Sequence, residues 1–79
     1  MKKEELISLI AVALEVSVNQ VDEKSEMGSV EEWDSLGQLS IVTQLANSLG
    51  SDASRVSGLA NCTSVKSIAE NLNKAGLLE

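Results

Sequence analysis

Few side chains in this sequence could do covalent or acid–base chemistry, and the most suggestive of them is a serine. Ser35 lies in the run Glu32–Leu39, which reads EWDSLGQL, and the single cysteine is Cys62. A serine or cysteine becomes a catalytic nucleophile when a general base lies beside it, and the usual base at neutral pH is histidine. The chain contains no His. We therefore expect no catalytic residue and no enzymatic activity, and the simplest role of Ser35 is to cap a helix.

The composition also narrows the kinds of partner. The net charge is −6, from 12 acidic and 6 basic residues. Nucleic acids and anionic membranes attract basic proteins, so neither is an expected partner. A metal site is not expected either, because one cysteine without histidine cannot supply the ligands of a zinc site. Negative charge favours proteins with positive surface patches, although it could equally serve only to keep a small domain in solution.

The length of 79 residues predicts one domain, residues 1–79, with a small core and little room for a deep cleft. Two acidic residues, Glu4 and Glu5, follow the basic start of the chain at once, which is not typical of a signal peptide. The longest apolar run, Leu9–Leu14, is too short to span a membrane. We expect a cytoplasmic protein that is a monomer and does not insert into membranes.

Ser35 must be positioned by the helices that the hydrophobic pattern predicts. Apolar residues at helical spacing predict three main helices, which run from Lys3 to Glu15, from Ser35 to Leu49, and from Thr63 or Ser64 to Gly76. Ser35 is the expected N-cap of the second helix, and Asp34 places a negative charge beside the positive end of its dipole. No segment alternates between polar and apolar residues, so no strand is predicted.

Two further segments lie between the predicted helices. The stretch from Val16 to Asp34 lacks helical periodicity and is predicted to be a long loop, a kind of segment that is often functional. Trp33, the only aromatic residue, lies at its end and is expected to plug the edge of the core. Between Gly50 and Asn61, apolar residues spaced by three predict a short helix of about two turns. The sequence therefore predicts an all-α fold, a small four-helix bundle with three main helices and one short helix.

This arrangement resembles the acyl carrier protein family, which includes the carrier domains of polyketide and nonribosomal peptide synthesis. The family has an Asp-Ser-Leu motif at the start of the second of four helices, after a long loop. Asp34-Ser35-Leu36 stands at that place. The apolar series of the second helix and the segment Cys62-Thr63-Ser64-Val65 before the last helix are also similar to the family. The resemblance extends over nearly the whole chain.

The resemblance implies a modification at Ser35. In the family, a separate phosphopantetheinyl transferase uses coenzyme A and magnesium to attach 4′-phosphopantetheine to the motif serine, and the thiol of this arm carries acyl groups as thioesters. Ser35 would then be the attachment site, and the partners would be the transferase and enzymes that transfer or modify the acyl group. Asp34 and Leu36 would contribute to partner recognition. A helix-dipole role for Asp34 and core packing for Leu36 are equally compatible with the sequence.

The second helix departs from the pattern of primary fatty-acid carriers, because the stretch from Leu36 to Leu49 contains no charged residue. The run from Trp33 to Gly37 looks more like carriers of specialised pathways, such as surface polysaccharide or secondary-metabolite biosynthesis. Cys62 is expected to be a small buried core residue and not a reactive thiol. An unmodified acidic helical adaptor, which binds another protein through apolar grooves, would share the same composition and is the alternative function.

Overall fold

A computed structural model describes residues 1–56 and 58–79 of the chain. Its regular elements are three α-helices and three short 3₁₀ segments. The helices are α1 (Lys3–Leu14), α2 (Ser35–Leu49) and α3 (Val65–Lys74), and the 3₁₀ segments are Val18–Gln20, Gly50–Arg55 and Leu59–Asn61. β pairing within the described ranges takes the form of isolated bridges, without a named strand. The prediction of an all-α fold is confirmed.

α1 turns one apolar stripe toward the rest of the molecule, and its buried side chains are Leu6, Ile10, Ala11 and Leu14. The helix ends one residue before the predicted end at Glu15, because Glu15 adopts the left-handed conformation with a φ of 59°. The N–H groups of Glu15 and Val16 then donate to the carbonyls of Val12 and Ala11. These two bonds satisfy carbonyl groups that the end of a helix would otherwise leave unpaired.

The long loop before α2 is held against the start of α3. The N–H of Met27 donates to the carbonyl of Thr63 at 2.8 Å, and the N–H of Val65 donates to the carbonyl of Ser25 at 3.0 Å. Ser25 itself is buried. Backbone bonds on both sides of the contact therefore restrict the loop that leads into the Ser35 segment, although the loop has no long helix of its own.

The predicted short helix between α2 and α3 consists of helical turns in 3₁₀ geometry. Gly50–Arg55 forms the longer 3₁₀ segment and Leu59–Asn61 the shorter one. A 3₁₀ helix has three residues per turn, so side chains spaced by three lie above one another. Leu59 in the shorter segment is buried, and so is Val56, which follows the longer one with an extended backbone. The segment that the sequence predicted as one short helix therefore contains two separate 3₁₀ segments.

The core contains apolar side chains from all three α-helices and from the loops between them. Trp33 is its largest member and is only 1% exposed, which confirms that the single aromatic residue fills interior space. The remaining fully buried large side chains are Leu6, Ile10, Ile41, Leu45, Val65, Ile68 and Leu72. No helix in the described part of the chain has the length and apolar character needed to cross a membrane.

Candidate functional site

The residue that caps α2 is Asp34, not Ser35 as the sequence predicted. Asp34 has extended backbone angles, φ −109° and ψ −163°, and its Oδ1 accepts a hydrogen bond from the N–H of Gly37 at 2.9 Å. Its carbonyl accepts from the N–H of Gln38 at 2.8 Å. This geometry places Ser35 one position later, as the first helical residue. A capping side chain accepts a hydrogen bond from the helix backbone, and because Asp34 does so here, the Ser35 hydroxyl is not needed as the cap.

Ser35 is exposed at the N-terminus of a helix of 15 residues. The first N–H groups of a helix have no carbonyl within the helix to bond, and the aligned peptide dipoles make this end partly positive. Asp34 takes one of these N–H groups, while the amides of Ser35 and Leu36 lie at the first two helical positions. A phosphate ester on the Ser35 oxygen would therefore lie where anions are stabilised by a helix. The residues around Ser35 fit such a group.

Apolar side chains are exposed on the outer face of α1 and α2 beside Ser35. Leu36 is 75% exposed, Leu39 63% and Val12 68%. Val12 and Leu39 border one surface groove, and Leu36 borders a second groove that shares Ala13, Glu15 and Ser40 with the first. Core packing of Leu36, one of the two interpretations of the sequence, is therefore wrong. We call Val12, Leu36 and Leu39 the apolar strip.

Gln38 lies one turn after Ser35 and joins α2 to two other segments. Its Oε1 accepts a hydrogen bond from the indole Nε1–H of Trp33 at 2.8 Å. Its Nε2 donates to the carbonyl of Cys62 at 2.7 Å and to that of Ala60 at 3.3 Å. Gln38 is buried, and these bonds pair its amide with partners. We call this set of three hydrogen bonds the Gln38 bridge.

Gln38 was not predicted as a site residue, although the sequence contains a signal for its burial. Gln38, Ile41 and Leu45 follow one another at intervals of three and four, and all three are buried. A polar residue on the apolar face of an amphipathic helix indicates a buried side chain that needs hydrogen-bond partners. The identity of those partners could not be read from the sequence, because Cys62 lies 24 residues away.

Gly37 lies where α2 closely approaches α1 and the loop. A Cβ atom built on Gly37 would overlap the backbone carbonyl oxygen of Glu32 and would lie 2.8 Å from the Cδ2 of Leu14. Glycine is unfavourable within a helix, so its presence here is explained by the lack of space for any side chain. This close approach sets the position of the Ser35 segment relative to α1.

Cys62 is a core residue, as predicted, and is 4% exposed. Its thiol lies near the carbonyl of Gly58 at 3.3 Å and accepts a hydrogen bond from the Nδ2 of Asn71 at 3.2 Å. Burial raises the pKa of the Cys62 thiol above its ordinary value of 9.0, and hydrogen bonds from neighbouring side chains oppose this effect only in part. The thiol is thus protonated at neutral pH, which makes it a poor nucleophile.

The raised pKa of Cys62 predicts how stability changes at alkaline pH. The unfolded chain releases the thiol proton at a lower pH than the folded protein, so this group's contribution is complete below pH 9.0 and is lost as the pH rises through the folded pKa. We expect the free energy of unfolding to fall more steeply above pH 9.0 in the parent than in Cys62→Ala. Urea titrations at a series of pH values measure both slopes, and equal slopes would contradict the assignment.

Comparison with known proteins provides no relative for this chain: no protein-family model, curated protein or solved structure matches it. In the part of the chain that the structure describes, three or more His, Cys, Asp or Glu side chains do not come together as possible metal ligands.

Proposed function

We propose that this chain is an acyl carrier protein that receives 4′-phosphopantetheine on Ser35. The observation that carries the proposal is the exposed hydroxyl of Ser35 at the first position of α2, between the cap Asp34 and the exposed Leu36. The order of elements around it, a long loop before and 3₁₀ turns after α2, is compatible with the four-helix arrangement of the carrier family.

The modification is a phosphoryl-type transfer in which the chain contributes only the acceptor. The Ser35 oxygen forms a bond to the phosphorus of coenzyme A that bears the pantetheine arm. The bond from that phosphorus to the phosphate of the bisphosphorylated adenosine breaks, and the hydroxyl proton passes to a base on the transferase. The N-terminus of α2 would stabilise the resulting phosphodiester. When bound, the arm supplies a thiol that carries acyl groups as thioesters.

The surroundings of Ser35 favour recognition by other proteins. Asp34, Glu31 and Glu32 make the approach to Ser35 acidic, and Leu36 of the apolar strip borders the same groove as Glu32 and Asp34. A transferase or acyl-transferring enzyme with basic groups near its active site and an apolar contact for Leu36 would match both features. In this proposal Asp34 has two roles, as the cap of α2 and as a charge that the partner recognises.

The direct test is modification by a broad-specificity phosphopantetheinyl transferase with coenzyme A and magnesium. We expect the intact mass of the purified protein to increase by one phosphopantetheine group. Ser35→Ala should show no increase. Ser40→Ala is the matched control, because Ser40 is another exposed serine of α2 and its removal should leave the modification unchanged.

Each outcome of this test has a definite meaning. A mass increase in the parent and in Ser40→Ala, but not in Ser35→Ala, would establish both the carrier role and its site. An increase that persists in Ser35→Ala would reject Ser35 as the attachment point. No increase under conditions that fully modify a control carrier would argue against the proposed function.

The alternative function, an unmodified acidic adaptor, is favoured by the apolar strip. Three exposed large apolar residues close together on α1 and α2 are typical of a protein-binding surface. The adaptor does not need the Ser35 hydroxyl, so Ser35→Ala would bind its partner as well as the parent does. In the carrier, replacement of Ser35 abolishes function although the fold is intact.

A further inference from the structure

We infer that the acyl group carried on Ser35 remains outside the helical bundle, and that it is a short or polar acyl group, not a long saturated hydrocarbon chain. This inference rests on the proposed carrier function and concerns the class of cargo. Carrier proteins have two ways to handle an acyl chain, which are to enclose it between helices or to leave it exposed. The contacts around Ser35 favour the second.

The route from Ser35 into the interior passes Gln38. Residues three positions apart lie on the same side of a helix, so Gln38 is the inward neighbour of Ser35 on α2. Leu36 and Leu39, the other neighbours, are directed to solvent. On the side of Gln38, the way from Ser35 into the core lies between α2 and the segment Leu59–Asn61, and the Gln38 bridge spans this gap.

Opening the bridge would leave polar groups unpaired in an apolar environment. The carbonyl of Cys62 accepts a hydrogen bond from Gln38, the indole N–H of Trp33 donates one to Gln38, and both residues are buried. A hydrocarbon chain offers neither a donor nor an acceptor that could replace the amide. The hydrocarbon chain would therefore separate these groups from Gln38 without replacing their hydrogen bonds. A gap that is lined only by apolar side chains would carry no such cost.

Trp33 occupies the space that an acyl chain would need. It lies two residues before Ser35, is 1% exposed, and its indole is fixed by the bond from Nε1 to Gln38. Its backbone is also held, because its N–H donates to the carbonyl of Val30 and its carbonyl accepts from the N–H of Gly28. Displacement of the ring would thus require the end of the loop to move as well. A close-packed interior has no such freedom at low cost.

An exposed cargo must tolerate water, and this requirement specifies its chemistry. The apolar strip can cover a few methylene groups, but it is open to solvent and lies beside Glu15, Glu32 and Asp34. A long alkyl chain would remain largely hydrated there. A short acyl group, or one with hydroxyl or amino substituents, loses little by remaining in water. Such groups are the cargo that this surface suits.

The test compares acyl groups of increasing length on the same protein. The transferase is supplied with acetyl-, hexanoyl- or dodecanoyl-coenzyme A, and intact mass verifies that each acylated arm is attached to Ser35. Thermal midpoint, Trp33 fluorescence and cleavage of the thioester by hydroxylamine are then measured. We expect the three cleavage rates to agree within about twofold and the emission maximum of Trp33 to be unchanged. If the acyl chain entered the interior, each buried methylene would shift the equilibrium between the exposed and the enclosed chain roughly fourfold.

Gln38→Ala provides a matched variant, with Gln44→Ala as its control on an exposed position of α2. Removal of the bridge creates space and eliminates the polar barrier, so dodecanoyl cleavage should slow in Gln38→Ala and not in Gln44→Ala. The series on the parent protein is decisive even if Gln38→Ala does not fold.

The outcomes separate this inference from the proposed function. Attachment with a dodecanoyl thioester that is cleaved more than about tenfold more slowly than the acetyl thioester, together with a shifted Trp33 emission, would overturn the inference and leave the carrier function standing. If none of the three acylated arms attaches to Ser35, the carrier function is overturned, and the inference with it. Cleavage that is independent of length supports both.

Discussion

Gln38→Met is expected to lower the free energy of unfolding by about 2–4 kcal/mol, because the substitution leaves buried donors and acceptors without partners. Methionine has nearly the shape and length of glutamine, so the change removes the amide and little of the packing. The indole N–H of Trp33 and the carbonyl of Cys62 lose their hydrogen bonds. Ala60 is exposed, so water can replace the bond to its carbonyl.

Urea unfolding followed by circular dichroism measures this loss, and Trp33 fluorescence reports on the same site. Gln44→Met is the control, because Gln44 lies on α2 at an exposed position and a surface substitution of this kind changes stability by less than about 0.5 kcal/mol. If the two variants unfold at the same urea concentration, the Gln38 bridge does not stabilise the fold in the way proposed.

Gly37→Ala should also destabilise the protein, although helix propensity predicts the opposite. Alanine in place of glycine within a helix is normally favourable by about 1 kcal/mol. At Gly37 the added Cβ would overlap the carbonyl oxygen of Glu32 and press on the Cδ2 of Leu14. Excess volume at a close-packed position costs about 1–3 kcal/mol and more when backbone must move. We expect a net loss of about 1–2 kcal/mol after the gain in propensity is subtracted.

Ser40→Ala is the control for the propensity effect, because it adds no atom at an exposed position of the same helix. It should raise the free energy of unfolding by about a few tenths of a kcal/mol, because alanine has a higher helix propensity than serine. The two alanine variants should therefore differ in sign, and the same urea experiment measures both. An increase in stability for Gly37→Ala would mean that α1 and the loop lie farther from α2 than the structure shows.

The helices and the place of Ser35 among them could be predicted because their determinants are local. The apolar spacing of α2 predicted Ser35–Leu49, and the structure has the same bounds. The spacing of three in the segment after α2 indicated helical turns, and the small size and apolar character of Cys62 indicated burial. Hydrophobic periodicity is a property of neighbouring residues, so these features needed no knowledge of what the helices pack against.

The details of the site depended on contacts between distant residues. The sequence allowed both a buried and an exposed Leu36, and only the way α2 packs against α1 left that side chain in solvent. The cap is Asp34 because the backbone of the loop is extended there. The lack of space at Gly37 is due in part to Leu14, and the amide of Gln38 is paired with the carbonyl of Cys62. The fold brings both of these residues from other segments.

An acidic chain of helices with a serine at the start of the second could thus be predicted from the residues alone, since charge, periodicity and turn residues act over a few positions. The packing of the helices was needed to show that Ser35 is free of the capping role, that Leu36 faces solvent, and that Gln38 is buried with its amide bonded to Trp33. Burial and hydrogen-bond pairing are properties of the space between elements, and that space exists only once the helices have packed.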